Sequence, residues 1–352
     1  MNESRLLQDI RNQEQSLARV LAHQSGKGHA ALTESASLLQ SAKKIVVTGI
    51  GASLHAAFPL HYELAAHGFD SVIVESGELL HYQERLCSGA VVVVVSRSGE
   101  SVEIVKLLSH VKEISQHTIG VTNEPESTLA KGASVALTVG SLPDEMVAIQ
   151  SYTGTVAALM LLAAAVTGDL DKTHGEMTAF LPRVSSLIAA NLDHIEDWDD
   201  FFKTESPVYL LGRGPSYASA LEGALLFSET AKEPAVGIAS GSFRHGPVEI
   251  VDANFRAIVF APHGKTRELN LGLAEDLMKF GAKVRIVGPV GPLGHTGPAL
   301  PFIDVPEISE KLSPLLDIIP VQLAALRLAH RKNLVIGKFR YAPQVTRNEM
   351  NF

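Results

Sequence analysis

The sequence predicts an α/β protein with two similar domains, each a doubly wound parallel sheet flanked by helices, and a helical segment ahead of them. Three observations support this prediction. Segments typical of buried strands alternate with helical patterns along most of the chain. Residues 91–95 are five consecutive valines, which fit a strand covered by helices on both faces. Segments of the first half also recur in the second half in the same order.

The first 40 residues form the predicted helical segment. Apolar residues such as Leu6, Leu7 and Ile10 recur at helical spacing, and the glycines in Gly26–Gly28 predict a break between two helices. Charges of both signs are mixed along this segment. We therefore expect it to pack against the rest of the protein and to contribute to subunit contact.

The first domain is expected over residues 41–170 and the second, with the C-terminal tail, over residues 171–352. Helical patterns separate the strand-like segments of the first domain, which lie at residues 44–50, 71–76, 91–95, 118–122 and 133–139. The apolar stretch Val156–Val166 predicts a buried helix that ends at Gly168. This stretch is too short to cross a membrane.

An internal repeat carries most of the two-domain prediction. The matched segments, at shifts of 163, 164 and 165 residues, are Gly49–Ser53 with Gly212–Ser216, Ser76–His81 with Ser240–His245, and Ser98–Ser101 with His263–Thr266. The second copy lacks the serines of the last segment. We therefore expect the two domains to have divided their tasks.

The loop after the valine strand is the first candidate site. Ser96, Ser98 and Ser101 supply hydroxyl groups, Arg97 supplies a charge, and Gly99 permits a close approach of the backbone. A helical pattern follows at once, so free backbone N–H groups and the positive end of a helix dipole face the same point. These residues could simply form a strand–helix turn, but the pattern favours a phosphate site.

Composition and charge exclude several classes of protein. Apolar residues are 46% of the chain and charged residues 19%, which is typical of a globular protein. A net charge of -8 argues against a general nucleic-acid surface. The single cysteine, Cys87, excludes a disulfide framework, and no signal peptide is evident, so we expect a cytoplasmic protein. The histidine spacing predicts no metal site, and we expect no cofactor and no membrane partner.

Four short motifs make the chain resemble a known family. They are GIGAS at residues 49–53, SRSGES at 96–101, ALEGAL at 220–225 and HGP at 245–247. Together they resemble the tandem sugar isomerase (SIS) family, in particular the isomerase half of glucosamine-6-phosphate synthase. SIS-type glucosamine-6-phosphate deaminases and ketosamine-phosphate deglycases are similar too. The resemblance begins near residue 40, and because no glutaminase domain is evident we expect no hydrolysis of glutamine by this chain.

The resemblance implies that the first domain holds the phosphate of a sugar phosphate. The implied phosphate-binding residues are Ser53, Ser96, Ser98 and Ser101. Arg97 stands where the synthase has a neutral glutamine, and it could contact the phosphate or a substrate carboxylate, or could be an exposed helix-start residue. Glu145 is expected to open the next helix. In family members, residues at the start of this helix contact the substrate. The helix dipole alone would also favour a glutamate at a helix start.

The resemblance assigns acid–base roles to the second domain. Glu229 matches the general base that moves a proton between C1 and C2 of the sugar, although it could be a solvated helix-end residue beside Lys232. Glu222 precedes it by two helical turns and shares its face, among small apolar residues that indicate burial. His245 matches the histidine that opens the sugar ring. In the synthase this histidine comes from the neighbouring subunit, which implies a homodimer with shared active sites.

Two departures from the synthase pattern bear on the reaction. Leu226 replaces a lysine one turn after Glu222, and Gln344 takes the place of the tail lysine that meets the open-chain carbonyl. We therefore expect an enzyme that acts on a 6-phosphorylated amino sugar or ketosamine and releases an amine, of the deaminase or deglycase type. The alternatives are a plain sugar-phosphate isomerase and a non-catalytic phosphosugar sensor. A sensor would need the serine loop without an acid–base pair.

Overall fold

The computed structural model describes residues 4–290, 300–341, 343 and 345–349. Gln344, the residue expected in place of the tail lysine, lies outside the described residues. The chain divides into two compact units. The first unit comprises Asn12–Leu181 and Phe339–Phe352, and the second comprises Met1–Arg11 and Pro182–Lys338.

The N-terminal segment is helical, as the sequence predicts. Its helices are α1 (Arg5–Arg11), α2 (Gln13–Ser25) and α3 (His29–Ser41). The predicted break at Gly26–Gly28 is confirmed, and a further break at Asn12 separates α1 from α2. Helices α2 and α3 belong to the first unit, whereas α1 belongs to the second.

The first unit is built on a parallel sheet of five strands. The strands are β1 (Ile45–Gly49), β2 (Ser71–Glu75), β3 (Val91–Val95), β4 (His117–Thr122) and β5 (Val135–Thr138). They lie in the order β2-β1-β3-β4-β5, and every pair is parallel. The helices between and after them are α4 (Ala52–Ala66), α5 (Ser76–Tyr82), α6 (Val102–Ile114), α7 (Thr128–Gly132) and α8 (Gln150–Thr167).

The valine strand β3 lies in the middle of this sheet. Each of its five valines is at most 1% exposed, because helices cover both faces. Burying one such side chain contributes about 1.5–3 kcal/mol to folding. The strand therefore fixes the position of the loop that follows it at Ser96.

A long helix, α9 (Leu170–Asp193), leads into the second unit, whose sheet repeats the first. Its strands are β6 (Val208–Gly212), β7 (Ala235–Ala239), β8 (Arg256–Phe260), β9 (Lys283–Gly288) and β10 (Phe302–Asp304). The helices are α10 (Trp198–Phe201), α11 (Ser216–Ala231), α12 (Ser240–Arg244), α13 (Arg267–Lys279) and α14 (Pro314–Arg331). The order β7-β6-β8-β9-β10 matches that of the first sheet, and all pairs are parallel. The two-sheet α/β prediction is thus confirmed.

Helix α8 is longer than the predicted Val156–Val166. Gly168, with φ +82°, ends it as predicted, and its N–H bonds the carbonyl oxygen of Ala164. The 18 residues have a mean hydropathy of 1.3, enough by length and composition to cross a membrane. However, 89% of the helix is buried within the fold, as in the core helix of a globular protein.

The start of α8 corrects one prediction. Glu145 was expected to open this helix, but residues 145–149 form bends and the helix begins at Gln150. Asp144 occupies the capping role instead. Its Oδ1 accepts hydrogen bonds from the backbone N–H groups of Gln150 (2.8 Å) and Ser151 (3.3 Å). Glu145 is exposed.

Candidate functional site

The serine loop (Ser96–Ser101) lies at the point where the strand order of the first sheet reverses. The chain passes from β1 to β2 on one side and then returns to β3 on the other side of β1. The loops after β1 and β3 therefore meet at the carboxyl edge, where ligands bind in doubly wound sheets. The Ser53 Oγ accepts a hydrogen bond from the Arg97 backbone N–H at 3.3 Å. The structure thus brings Ser53, Ser96, Arg97, Ser98 and Ser101 together.

Internal hydrogen bonds hold the serine loop in one conformation. The Ser96 Oγ accepts a hydrogen bond from the Gly99 N–H (3.1 Å), and the Ser98 Oγ accepts one from the Glu100 N–H (3.3 Å). Gly99 has φ +64°, and a Cβ atom there would overlap the side chain of Ser127. Only glycine fits this turn.

Several donors of the loop remain available. The backbone N–H groups of Ser98 and Ser101 and the Ser101 hydroxyl donate no hydrogen bond to the described residues. Ser101 is the N-cap residue of α6, so the positive end of that helix faces the same place. Together these groups form a cradle of the kind that binds phosphate.

Residues 345–349 of the C-terminal tail lie beside this cradle in the same unit. The Thr346 carbonyl oxygen accepts a hydrogen bond from the Val102 N–H at 3.0 Å, which satisfies one free donor of α6. The Glu349 carboxylate contacts Lys106 on α6 (2.5 Å) and His81 on α5 (3.4 Å). These contacts hold residues 346–349 at the mouth of the loop.

Asp144 is a site residue that the sequence analysis missed. Burial raises the pKa of its carboxyl group, while the hydroxyl of Ser151 and the charge of Arg97 lower it. The carboxylate thus lies within electrostatic reach of the arginine in the serine loop. No local pattern in the sequence marks Asp144, because the backbone N–H groups that it caps lie six and seven residues further along the chain.

In the second unit, the residue that corresponds to Ser53 has a different environment. Ser216 is fully buried, and its Oγ donates to Asp317 Oδ2 at 2.7 Å and lies 3.0 Å from the Ser313 Oγ. Burial raises the pKa of Asp317 to about 7, although the two serine hydroxyls act in the opposite direction. The Ser216 hydroxyl is therefore used in hydrogen bonds within the interior of the second unit.

The loop after β8 corresponds to the serine loop, and a carboxylate of the chain itself occupies it. Glu310 Oε2 accepts a hydrogen bond from the Lys265 N–H at 3.1 Å. A Cβ atom at Gly264 would overlap the Glu310 carboxylate, so the contact is close. The Glu310 carboxylate thus occupies the loop of the second unit that corresponds to the cradle of the first unit.

The two predicted acid–base carboxylates lie on α11. Glu222 is 1% exposed, which confirms the burial expected from its neighbours. Glu229 is half-buried in the last turn, and the Lys232 ammonium donates a hydrogen bond to the Glu229 backbone carbonyl. Leu226, which replaces the expected lysine, is a buried core residue.

His245 lies at the end of α12, in the predicted HGP turn. Its backbone N–H bonds the Ser242 carbonyl oxygen at 3.1 Å, and Gly246 follows with φ +124°. The imidazole is exposed and makes no hydrogen bond within the part of the chain that the structure describes. Over the same part, no three His, Cys, Asp or Glu side chains cluster closely enough to hold a metal ion.

The chain is similar in sequence to known proteins. The isomerizing glutamine–fructose-6-phosphate aminotransferase of Pyrococcus horikoshii is 29% identical over 300 residues, which cover 84% of this chain and 50% of that protein. The chain spans about half the length of the curated relatives it matches. It is homologous to the isomerase half of these enzymes.

Solved structures show the same fold. The C-terminal domain of glucosamine-fructose-6-phosphate aminotransferase from Francisella tularensis superposes with a TM-score of 0.81 at 20% identity, over 95% of this chain and 98% of that one. Glucosamine-6-phosphate deaminase from Thermotoga maritima gives 0.75 at 21% identity, over 97% and 99%. The SIS domain model matches residues 38–168 and 201–330. This chain therefore belongs to the SIS domain family and carries two SIS domains.

Proposed function

We propose that this protein is an enzyme that acts on a 6-phosphorylated amino sugar or ketosamine. The observation that carries the proposal is the cradle of the first unit, where Ser53 meets the serine loop. There the Ser98 and Ser101 N–H groups and the Ser101 hydroxyl have no acceptor among the described residues. A dianionic phosphate monoester matches this cradle in charge and in hydrogen-bonding capacity. The corresponding loop of the second unit is filled by Glu310, so we assign the phosphate to the first unit alone.

Within the cradle we assign the phosphate to Ser53, Ser96, Ser98 and Ser101. Arg97 contributes charge, and Asp144 offsets that charge from its position at the start of α8. The Arg97 carbonyl oxygen is held by the Asn123 N–H (3.1 Å) and the Thr122 hydroxyl (3.0 Å), so the backbone of this residue is fixed. A fixed backbone supports a positioned guanidinium that contacts either the phosphate or a neighbouring substrate group.

The chemical step requires ring opening followed by proton transfer. We assign ring opening to His245, since a neutral imidazole can take a proton from the anomeric hydroxyl and return one to the ring oxygen. We assign the transfer between C1 and C2 to Glu229. A half-buried carboxylate suits this step, because partial exclusion of water strengthens it as a base. Glu222 is the alternative base on the same helix.

The position of the amine determines the products. For a 2-amino sugar, transfer of the C2 proton to C1 leaves an imine at C2, which water hydrolyses to a ketose phosphate and ammonia. For a C1-linked ketosamine, transfer of a C1 proton to C2 leaves an imine at C1, which water hydrolyses to an aldose phosphate and the free amine. Leu226 in place of a lysine supports amine release over the isomerisation of the synthase type. A plain sugar-phosphate isomerase is the alternative.

A phosphosugar sensor without catalysis is the second candidate function. The cradle alone would serve a sensor, and the exposed His245 imidazole favours this candidate because the described residues give it no partner. The presence of Glu229 together with His245 favours the enzyme. Only an enzyme needs both groups.

We also propose a cytoplasmic homodimer with shared active sites. The exposed His245 is available to a second copy of the chain, and a two-fold interface would supply it reciprocally. Mixing Glu229→Gln and His245→Ala proteins under subunit exchange should restore activity in mixed dimers. No recovery despite demonstrated exchange would contradict shared sites.

The direct experiment is a panel of sugar 6-phosphates, amino-sugar 6-phosphates and ketosamine 6-phosphates. Each is assayed for amine release and for aldose–ketose conversion, with the Ser98→Ala/Ser101→Ala protein as the matched control. Amine release that the control lacks supports the enzyme. Binding without turnover across the whole panel would instead support the sensor.

A further inference from the structure

A second concave site lies in the second unit, at the amino edge of that unit's own sheet. A pocket of about 370 Å³ opens where β6, β7 and β8 begin, and the last turn of α14 borders it. Because the strands are parallel, the loops after β6 and β8 leave the other edge. The pocket is therefore separate from the loop that Glu310 fills and from the serine loop.

A buried arginine forms one wall of this pocket. Arg256, the first residue of β8, is 1% exposed, and its Nη2 donates hydrogen bonds to the Ser206 carbonyl oxygen and to the Glu233 carboxylate. The Nε of Arg256 is buried and has no acceptor among the described residues. Leaving such a donor unsatisfied is costly, so the site favours a ligand that brings an acceptor.

A second unsatisfied group lies in the same lining. The hydroxyl of Thr204 is also buried, and it has no hydrogen-bond partner within residues 4–290, 300–341, 343 and 345–349. Thr204 precedes β6 and Arg256 begins β8, and these strands are neighbours in the sheet. Two donors from adjacent chain segments thus line one pocket.

The charges of the lining favour an anion. Three cations, Arg256, Arg331 and Lys332, face two carboxylates, Glu205 and Glu233. Glu233 pairs with two of these cations, because both Arg256 and Lys332 donate hydrogen bonds to its carboxylate. One positive charge in the lining therefore remains to be balanced.

Asp199 is shared in a similar way, between Arg331 and Arg327. The Arg331 Nη1 lies 3.1 Å from Asp199 Oδ1, but Asp199 also receives two hydrogen bonds from Arg327. The carboxylate therefore does not neutralise both guanidinium groups. Phe202 lines another part of the pocket and offers an apolar surface for the carbon atoms of a small molecule.

We propose that this pocket binds a small organic oxyanion, through a phosphate or carboxylate group that accepts hydrogen bonds from Arg256 and Thr204. Arg331 and Lys332 supply the remaining charge. The site makes the second unit a ligand-binding domain in its own right, independent of the function assigned to the serine loop.

The test is calorimetric titration of the full chain with inorganic phosphate and, separately, with malonate. The protein carries Ser98→Ala/Ser101→Ala, which weakens phosphate binding at the serine loop. Preferential binding of phosphate identifies a phosphate ligand, and preferential binding of malonate identifies a carboxylate. Either result supports the site. No binding of either probe in the millimolar range would overturn it.

Two further variants locate the binding. Thr204→Val keeps the shape and removes the hydroxyl, and Arg331→Gln removes a charge, so each should weaken binding about tenfold. Lys203→Gln is the matched control, because Lys203 is exposed, pairs with Asp200 and lies outside the lining. Thermal unfolding checks that all three proteins are folded. Equal affinities in the three variants would contradict the proposal.

Discussion

The two halves of the chain share one strand order, but the corresponding loops after β3 and β8 differ in their hydrogen bonds. In the first unit, the Ser98 and Ser101 amides and the Ser101 hydroxyl of the loop after β3 donate to no acceptor within residues 4–290, 300–341, 343 and 345–349. In the second unit, the loop after β8 binds the carboxylate of Glu310. The corresponding loop thus binds the chain's own carboxylate in the second unit, whereas we propose that it binds an external anion in the first unit.

The serines that open the first helix of each repeat differ in the same sense. Ser53 is half-buried and touches the serine loop, whereas Ser216 is buried against Ser313 and Asp317. Ser53 thus remains partly exposed, whereas Ser216 makes its contacts in the interior of the second unit. We therefore expect substitutions in the first loop to change affinity and those in the second to change stability.

The largest expected effect concerns the proposed base. Glu229→Gln keeps the shape of the side chain and removes its basicity, so turnover should fall by roughly 10²–10⁴. Affinity for the phosphosugar should change little, because the phosphate is assigned to the first unit. Steady-state kinetics and calorimetry measure the two quantities. Near wild-type turnover would make Glu222 the candidate base.

The next effect concerns the cradle itself. Replacing Ser98 and Ser101 by alanine removes hydrogen bonds to a charged group, each worth about 1.5–3 kcal/mol, so affinity should fall by at least tenfold per serine. The unfolding temperature should stay close to that of the wild type. Ser109→Ala on the exposed face of α6 is the matched control. Undiminished affinity in the double variant would place the phosphate elsewhere.

The buried carboxyl group of the second unit predicts a pH dependence of stability. The pKa of Asp317 is raised by burial from 3.8 to about 7, so folding takes up a proton between these values. Its stabilising contribution is complete below about pH 4 and is lost as the pH rises through about 7.

Asp317→Asn should therefore flatten the stability profile over that range, and Asp193→Asn, at an exposed aspartate, should leave it unchanged. Denaturant unfolding between pH 4.5 and 8 measures both, within the window set by the raised pKa. An unchanged slope in Asp317→Asn would show that the carboxyl group titrates normally.

The smallest expected effect concerns Glu310. Glu310→Gln weakens a charge-assisted contact to the Lys265 N–H, so the free energy of unfolding should fall by about 1 kcal/mol. Phosphosugar affinity should be unaffected. Thermal unfolding and calorimetry test both statements. A marked loss of affinity would mean that the second loop takes part in substrate binding.

Features encoded by nearby residues could be predicted from the sequence. The five valines identify β3, Gly168 ends α8, and the repeated segments predict the second sheet, because each signal lies within a short stretch of chain. The serine loop was found for the same reason.

Features that depend on distant residues could not be predicted. Glu310 lies 45 residues beyond Lys265, and Asp317 lies 101 residues beyond Ser216, so only the fold reveals their contacts. The start of α8 was misplaced because Asp144 caps it across the five bend residues 145–149, and no local pattern shows that Glu145 would stay outside the helix.

The division of tasks between the two loops can be tested directly by amide NMR during titration with glucosamine 6-phosphate. We predict that the amide signals of Ser98 and Ser101 shift strongly, because their N–H groups donate hydrogen bonds to the phosphate. The signals of Gly264 and Lys265 should not move, because Glu310 already occupies that loop. Shifts at Gly264 and Lys265 with none in the serine loop would contradict the account.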